Sequence, residues 1–112
     1  MFDALPKSIK IAHLDIALVV LDRLDDDCWG YCKHSHLEIQ LRRAHTSFDL
    51  ARETVFHEIT HMLCNIYGLE DSEHEKEARF IEEKFVTIIS AGWAQIMRDN
   101  PKLMRWFTAV HS

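Results

Sequence analysis

Cysteine, glycine and proline are all scarce in this chain, which contains three cysteines, three glycines and two prolines among 112 residues. Few cysteines, and an odd number of them, argue against a small domain held together by disulfides. The sequence also has no low-complexity linker and no internal repeat. The composition therefore indicates one globular domain spanning residues 1–112, large enough for a single modest core.

Long apolar runs and clustered basic residues are also missing. The longest apolar stretch, Ile16 to Leu21, is far too short to cross a bilayer. The start Met1-Phe2-Asp3 lacks the basic residues and the apolar run of a signal peptide. The net charge of −5 disfavours binding to nucleic-acid phosphates. We therefore expect a cytoplasmic protein with reduced thiols, no membrane span and no nucleic-acid partner. The sequence does not indicate the oligomeric state.

The first half of the chain has the patterns of β-strands. Ser8 to Leu21 is predicted to contain a strand, although Ile16 to Leu24 also fits a short helix. His36 to Leu41 alternates polar and apolar residues, which predicts a half-buried strand. Because Gly30 breaks the chain shortly before it, Trp29 to Leu41 is a candidate hairpin.

The second half is predicted to be helical, with helices at Ser47–Tyr67, Ser72–Asn100 and Lys102–Val110. The first has Ser47 or Asp49 as its N-cap and Gly68 as a left-handed stop. In the second, Ser72 and Glu75 have capping-box spacing, and Pro101 ends the helix.

The motif His57-Glu58-Ile59-Thr60-His61 lies in the middle of the first predicted helix. Residues four positions apart share one helical face, so both imidazoles can bind one metal ion. Glu58 is one step round the helix, where it can accept a proton from a metal-bound water without being a ligand. Cys64 is expected to be a small buried residue beside the site. The alternative is a helix that merely carries two exposed histidines around a glutamate.

A catalytic zinc site needs a third protein ligand and keeps a fourth position open. The pattern His-x-x-Gly-x-x-His is absent, because Cys64 and Tyr67 occupy the last two positions. The next predicted helix offers Glu70, Glu73, His74, Glu75, Glu77, Glu82 and Glu83. Small or modest residues follow Glu83 at positions 86, 87 and 90, whereas bulkier residues follow Glu82 and Glu77. Close packing against the first helix therefore favours Glu83.

With these elements the chain resembles the gluzincins, which are zinc metallopeptidases. It resembles more closely the very small zincin-like proteins of bacteriophages and prophages, distant relatives of the ImmA/IrrE-type peptidases. The resemblance covers roughly residues 28 to 107 and is carried by Gly30-Tyr31, Leu37-Glu38-Ile39, Thr54 to His61, Tyr67-Gly68-Leu69, Glu83 to Thr87, Gly92, Gln95 and Arg98 to Pro101. In such proteins the ligand glutamate lies early in a helix with an Asp-Asn-Pro-like stop, which implies Glu83. The chain departs from them in a longer and more acidic stretch, Glu70 to Glu82.

The resemblance implies an α+β, zincin-like fold with a small, mostly antiparallel sheet packed on a His helix and a Glu helix. It implies that Zn²⁺ is bound between the two helices by His57, His61 and Glu83. It further implies hydrolysis of a peptide bond in a peptide or protein substrate, with Glu58 as the general base.

Two further features of the cleft follow from the same resemblance. The strand at Leu37 to Leu41 is expected to be an edge strand that pairs with an extended substrate. Tyr31, His34 and His36 are candidates to donate a hydrogen bond to the oxyanion of the reaction.

Two other functions are compatible with the sequence. Cys28, Cys32, His34 and His36 are a compact set of donors for a structural zinc in a binding module, although both pairs come from one short segment. The second is a catalytically inactive zincin fold that serves as an interaction protein. The presence of Glu58 argues against it.

Overall fold

The structure, a computed structural model, describes residues 1–68 and 78–110. Within them the chain folds into a four-stranded sheet and three α-helices, which is an α+β architecture. The strands are β1 (Ser8–Ile11), β2 (Leu14–Leu21), β3 (Gly30–Lys33) and β4 (Glu38–Arg42). The helices are α1 (Phe48–Ile66), α2 (Ala78–Asp99) and α3 (Pro101–Thr108). The predicted start of the second helix at Ser72 lies outside the described residues.

The sheet has the strand order β1-β2-β4-β3. Its two outer pairings are antiparallel, and the central pairing of β2 with β4 is parallel. The predicted hairpin at Trp29 to Leu41 is confirmed, and the helical alternative for Ile16 to Leu24 is wrong because β2 covers most of it. The expectation that Leu37 to Leu41 forms an edge strand is also wrong. That segment is mainly β4, which has a partner on each side, and β3 is the edge strand instead.

Helix α1 has the boundaries that its caps predict. Its N-cap is Ser47, whose Oγ accepts a hydrogen bond from the backbone N–H of Leu50 at 3.1 Å. Just beyond its C-terminus Gly68 has a φ of 73°, the left-handed conformation that glycine adopts most readily. At the other end of the fold, Pro101 is the first residue of α3 and separates it from α2.

One hydrophobic cluster joins the sheet to the helices. Alternate strand residues face it, as the period of two requires, and they meet one side of α1 and α2. Its fully buried members include Ile9, Ile11, Ile16, Ile39, Leu41, Val55, Ile59, Met62, Leu63 and Ile96. The packing fixes α1 across the sheet with its histidines on the uncovered side.

The outer edge of β1 is paired with side-chain amides from the end of α2. The Lys10 N–H donates to Asn100 Oδ1 at 2.8 Å, and Asn100 Nδ2 donates back to the Lys10 carbonyl at 2.9 Å. The Ala12 N–H donates to Gln95 Oε1 at 2.7 Å. The Asp-Asn-Pro stop of α2 therefore ties the helices to the sheet.

No helix within residues 1–68 and 78–110 is both long enough and apolar enough to cross a bilayer. Cys28, Cys32 and Cys64, the chain's three cysteines, form no disulfide with one another.

Candidate metal centre

His57 and His61 lie side by side on the exposed face of α1. Their Nε2 atoms are 3.0 Å apart, and their ring centroids are separated by 4.6 Å at an interplanar angle of 75°. The helix places them one turn apart on the same face, as the four-residue spacing predicts.

This separation fits two ligands of one zinc ion. Zinc binds imidazole nitrogen at about 2.0–2.1 Å, and tetrahedral bonds of that length leave two nitrogens about 3.3 Å apart. The donor atoms of His57, Glu58 and His61 all lie within 4.8 Å of one another. The geometry and the donor types are therefore compatible with a zinc site.

The Glu58 carboxylate is buried beneath the edge strand β3. The side chain is only 7% exposed. A Cβ at Gly30 would lie 2.9 Å from Glu58 Cγ, 3.1 Å from Glu58 Oε2 and 2.8 Å from Thr54 Cγ2. Only glycine fits at this position without displacing the carboxylate. From the sequence, Gly30 is predicted only to interrupt the chain before a strand. A glycine within a strand can also indicate that another part of the protein approaches its backbone closely.

Burial raises the pKa of Glu58 above its ordinary value, while the charges of His57, His61 and His34 oppose this shift. A carboxylate with a raised pKa accepts a proton more readily than a solvated one. Glu58 therefore has the environment that a general base needs.

A cleft of about 380 Å³ opens beside this carboxylate at the start of β3. It is lined by Cys28, Trp29, Gly30, Leu50, Glu53, Thr54, His57 and Glu58. The Arg42 N–H donates to the Trp29 carbonyl at 2.9 Å, so Trp29 faces β4. In antiparallel pairing the next residue, Gly30, then directs its own N–H and C=O to the outer edge of the sheet.

Of the three residues predicted to stabilise the oxyanion, His34 is the one that interacts electrostatically with Glu58. The charge of His34 acts on Glu58, and its Nδ1 lies 3.4 Å from Cys32 Sγ. Tyr31 alternates with Gly30 along β3 and is exposed on the opposite face of the sheet. His36 is exposed, with its Nδ1 2.9 Å from the Ser35 hydroxyl.

Glu83 is exposed on α2, and its carboxylate is not in the group formed by His57, Glu58 and His61. The packing premise behind its choice is wrong. At about 100° per residue, Glu83 lies about 180° from Gly92, the residue through which α2 approaches α1. The small residues that follow Glu83, such as Thr87 and Ser90, are exposed to solvent.

The neighbouring Glu82 is also exposed, and its carboxylate is likewise outside that group, but it lies on a different stripe of α2. It precedes Trp93 by eleven positions, which places it within about 20° of that residue on the helix. Trp93 contacts α1, since its Nε1 donates to Thr60 Oγ1 at 3.3 Å. The other candidate ligands lie outside the described residues: Glu70, Glu73, His74, Glu75 and Glu77.

The cysteine-containing alternative does not assemble in the part of the chain that the structure describes. The one group of three or more close metal-binding side chains found there is that of His57, Glu58 and His61. Cys28, Cys32, His34 and His36 do not gather into a second group, although Cys32 and His34 are neighbours.

Cys64 is buried, as the sequence predicts, and lines a cavity next to the histidine pair. Comparison of the chain with protein-family models, with curated proteins and with solved structures finds no match.

Proposed function

We propose that this protein is a zinc-dependent peptidase with a zincin-like active site. The observation that carries the proposal is the arrangement on α1. Two imidazole nitrogens lie 3.0 Å apart on an exposed face, and a buried carboxylate lies beside them. Two histidines and an adjacent acidic group of raised pKa are the combination that metal-assisted hydrolysis requires.

In this proposal each group of the motif has one role. When bound, zinc polarises the scissile carbonyl and lowers the pKa of the attacking water. His57 and His61 hold the metal through their Nε2 atoms. The Glu58 carboxylate accepts the proton of the water and passes it to the amine leaving group. His34 is the candidate to donate a hydrogen bond to the oxygen on which charge develops.

The substrate is proposed to be an extended peptide that pairs with the outer edge of β3. Gly30 offers its N–H and C=O to that edge, directly beside Glu58. Pairing with an edge strand orients a peptide through its main chain and leaves side chains to set specificity. The sequence assigns substrate pairing to the strand at Leu37 to Leu41. We assign it to β3 instead, because β4 has a partner on each side and no free edge.

A third zinc ligand has to be added to the two histidines, because Glu58 acts as the base. Glu83 is the ligand predicted from the sequence. Glu82 is the glutamate that lies on the same side of α2 as Trp93, which contacts α1. Both stay predictions that mutation of the two residues tests.

Metal content tests the first half of the proposal. The purified protein should hold one zinc per chain by elemental analysis, and His61→Ala should lose most of it. His13→Ala is the matched control, since His13 is exposed in the turn between β1 and β2. Full zinc occupancy in His61→Ala would show that the metal is bound elsewhere.

Peptide hydrolysis tests the second half. Glu58→Gln keeps the size of the side chain but removes the base, so zinc should stay bound while cleavage of a mixed peptide library falls by roughly 10²–10⁴-fold. Equal cleavage by both proteins would exclude Glu58 as the base. Zinc binding without cleavage by either protein would exclude the peptidase and support an inactive, metal-binding interaction domain.

A further inference from the structure

A second cavity, of about 460 Å³, lies on the α2 side of the histidine pair. Its lining comprises Glu53, Phe56, His57, Thr60, His61, Cys64 and Phe85. Its volume falls within the range of about 300–1,000 Å³ that is typical of small-molecule sites. Because both histidines belong to its wall, a group bound in it would adjoin the proposed metal.

The wall formed by Phe56 is held in place by α2. Its ring stacks on Trp93 with centroids 4.6 Å apart and an interplanar angle of 11°. Trp93 Nε1 donates to Thr60 Oγ1, and Thr60 Oγ1 in turn donates to the Phe56 carbonyl at 2.8 Å. The ring is therefore pre-oriented, which lowers the entropic cost of binding against it.

The two aromatic walls of the cavity are both exposed to solvent. Phe56 is 48% exposed and Phe85 is 42% exposed, and both border the same cavity. Covering such apolar surface is favourable by roughly 25 cal/mol per Å². Cys64 adds a buried apolar thiol, whereas Glu53 is the one acidic residue among the described lining residues. Most of the lining suits an apolar group, and an anionic group placed against it would lose its hydration.

We infer that this cavity selects the substrate: it binds a large apolar side chain, aromatic or of leucine or methionine size, on the residue that adjoins the scissile bond. The inference rests on the proposed function for the identity of the occupant. Phe56 and Phe85 are then specificity-determining residues, and peptides with an acidic residue at that position are poor substrates.

Binding without catalysis is the first test. N-acetyl-phenylalaninamide and N-acetyl-alaninamide are titrated into the zinc-loaded protein and followed by the amide NMR signals of Thr60 and Cys64. The phenylalanine compound should bind at least about 10-fold more tightly, and Phe85→Ala should remove most of that difference. Val86→Ala is the control, since Val86 is 53% exposed on the same helix and lies outside the cavity lining. Equal binding of the two compounds to the wild type would overturn the inference.

Cleavage preference is the second test, with Phe85→Trp as the variant because it keeps the wall and narrows the cavity. Wild type should cut a peptide library next to large apolar residues, and Phe85→Trp should shift the preference towards valine and alanine. Cleavage with no side-chain preference would overturn the cavity assignment and leave the peptidase standing. Selective binding of the phenylalanine compound without any cleavage would support the cavity and overturn the peptidase.

Discussion

Two glycines bring neighbouring elements against α1, and they do so on opposite flanks of the same helix. On one flank Gly30 places β3 over Thr54 and Glu58. On the other, Gly92 places α2 against Leu63, whose Cδ2 would be 2.5 Å from an added Cβ. Both contacts are too close for any larger residue without a shift of the neighbour.

The two glycines differ in the kind of side chain that each contacts on α1. Gly30 covers a carboxylate and leaves a cleft beside it, whereas Gly92 covers an aliphatic side chain that is fully buried. Nearer the start of α2, the space between α1 and α2 contains the cavity that Phe85 lines. In the proposed function the close approach at Gly30 positions the base, whereas the close approach at Gly92 packs α2 on α1.

Replacing the glutamates of α2 tests whether the α2 flank also takes part in the proposed chemistry, because a metal ligand from α2 would join the two flanks at one site. Loss of an outer-sphere partner already weakens metal binding about 10–100-fold, so loss of a ligand should exceed about 100-fold. We expect Glu82→Ala to weaken zinc binding by that amount and Glu83→Ala to change it little, because Glu82 lies on the Trp93 stripe. Zinc affinity is measured by competition with a chelator.

The opposite order, with Glu83→Ala stripping the metal, would restore the ligand that the sequence predicts and would require α2 to present another face. If both variants keep full affinity, then neither is the ligand, and Glu77→Ala becomes the variant to measure.

Gly30→Ala tests whether the close approach of β3 to α1 is needed for catalysis. The added methyl would meet Thr54 Cγ2 and Glu58 Cγ at under 3 Å, so the carboxylate has to move. Since a misplacement of about 1 Å can cost about 100-fold in rate, we expect kcat/KM to fall about 10- to 100-fold with zinc still bound. Lys33→Ala in the same strand is the control. Unchanged kcat/KM in Gly30→Ala would mean that Glu58 does not need its present position.

Gly92→Ala should affect stability rather than chemistry. The extra methyl overpacks Leu63, at a cost of about 1–3 kcal/mol, while alanine gains about 1 kcal/mol of helix propensity. We expect the free energy of unfolding to drop by about 1 kcal/mol in denaturant titrations, with zinc affinity unchanged. Ala94→Gly, at an exposed position of α2, calibrates the propensity difference. A rise in stability would show that Leu63 gives way freely.

The smallest effect concerns His45, which supports the β3 flank through Trp29. Both of its ring nitrogens are buried, and its ring packs against Phe2 and Trp29 at centroid distances of 5.3 and 5.0 Å. Burial lowers its pKa, opposed in part by the Trp29 backbone and reinforced by Arg42. The folded protein therefore favours the neutral ring.

As the pH falls through about 6.5, the unfolded chain takes up a proton that folded His45 resists, so the free energy of unfolding decreases. In His45→Phe this pH dependence should be smaller than in wild type, whereas His13→Phe should retain it. Chemical denaturation at about pH 7.5 and about pH 5.5 measures the difference. An identical slope in His45→Phe and wild type would show that His45 is not the group responsible.

The sequence predicts local structure well where one signal dominates. Ser47 and Gly68 fix the ends of α1, and the alternation at positions 36 to 41 identifies β4. The motif also places His57 and His61 correctly, because four-residue spacing on a helix determines a shared face whatever surrounds it.

The failures concern relations between elements. Alternation does not determine whether a strand has one partner or two, and the resemblance to zincins places at the edge a strand that in fact lies between two others. Small residues following Glu83 suggested a close helix contact, but exposed positions tolerate small residues equally well. The contact instead uses Gly92, and the burial of Glu58 depends on Gly30, a residue that is far away in sequence.

The amide side chains on β1 also decide how far this sheet can grow. A sheet with two open edges adds molecules at both, and such addition has no inherent end. Asn100 and Gln95 occupy the outward N–H and C=O of Lys10 and the N–H of Ala12, so within the described sheet β3 offers the more open edge for strand addition. Two copies that met through β3 would each consume the other's open edge. Self-association by strand addition would therefore favour a closed pair over an open chain of molecules.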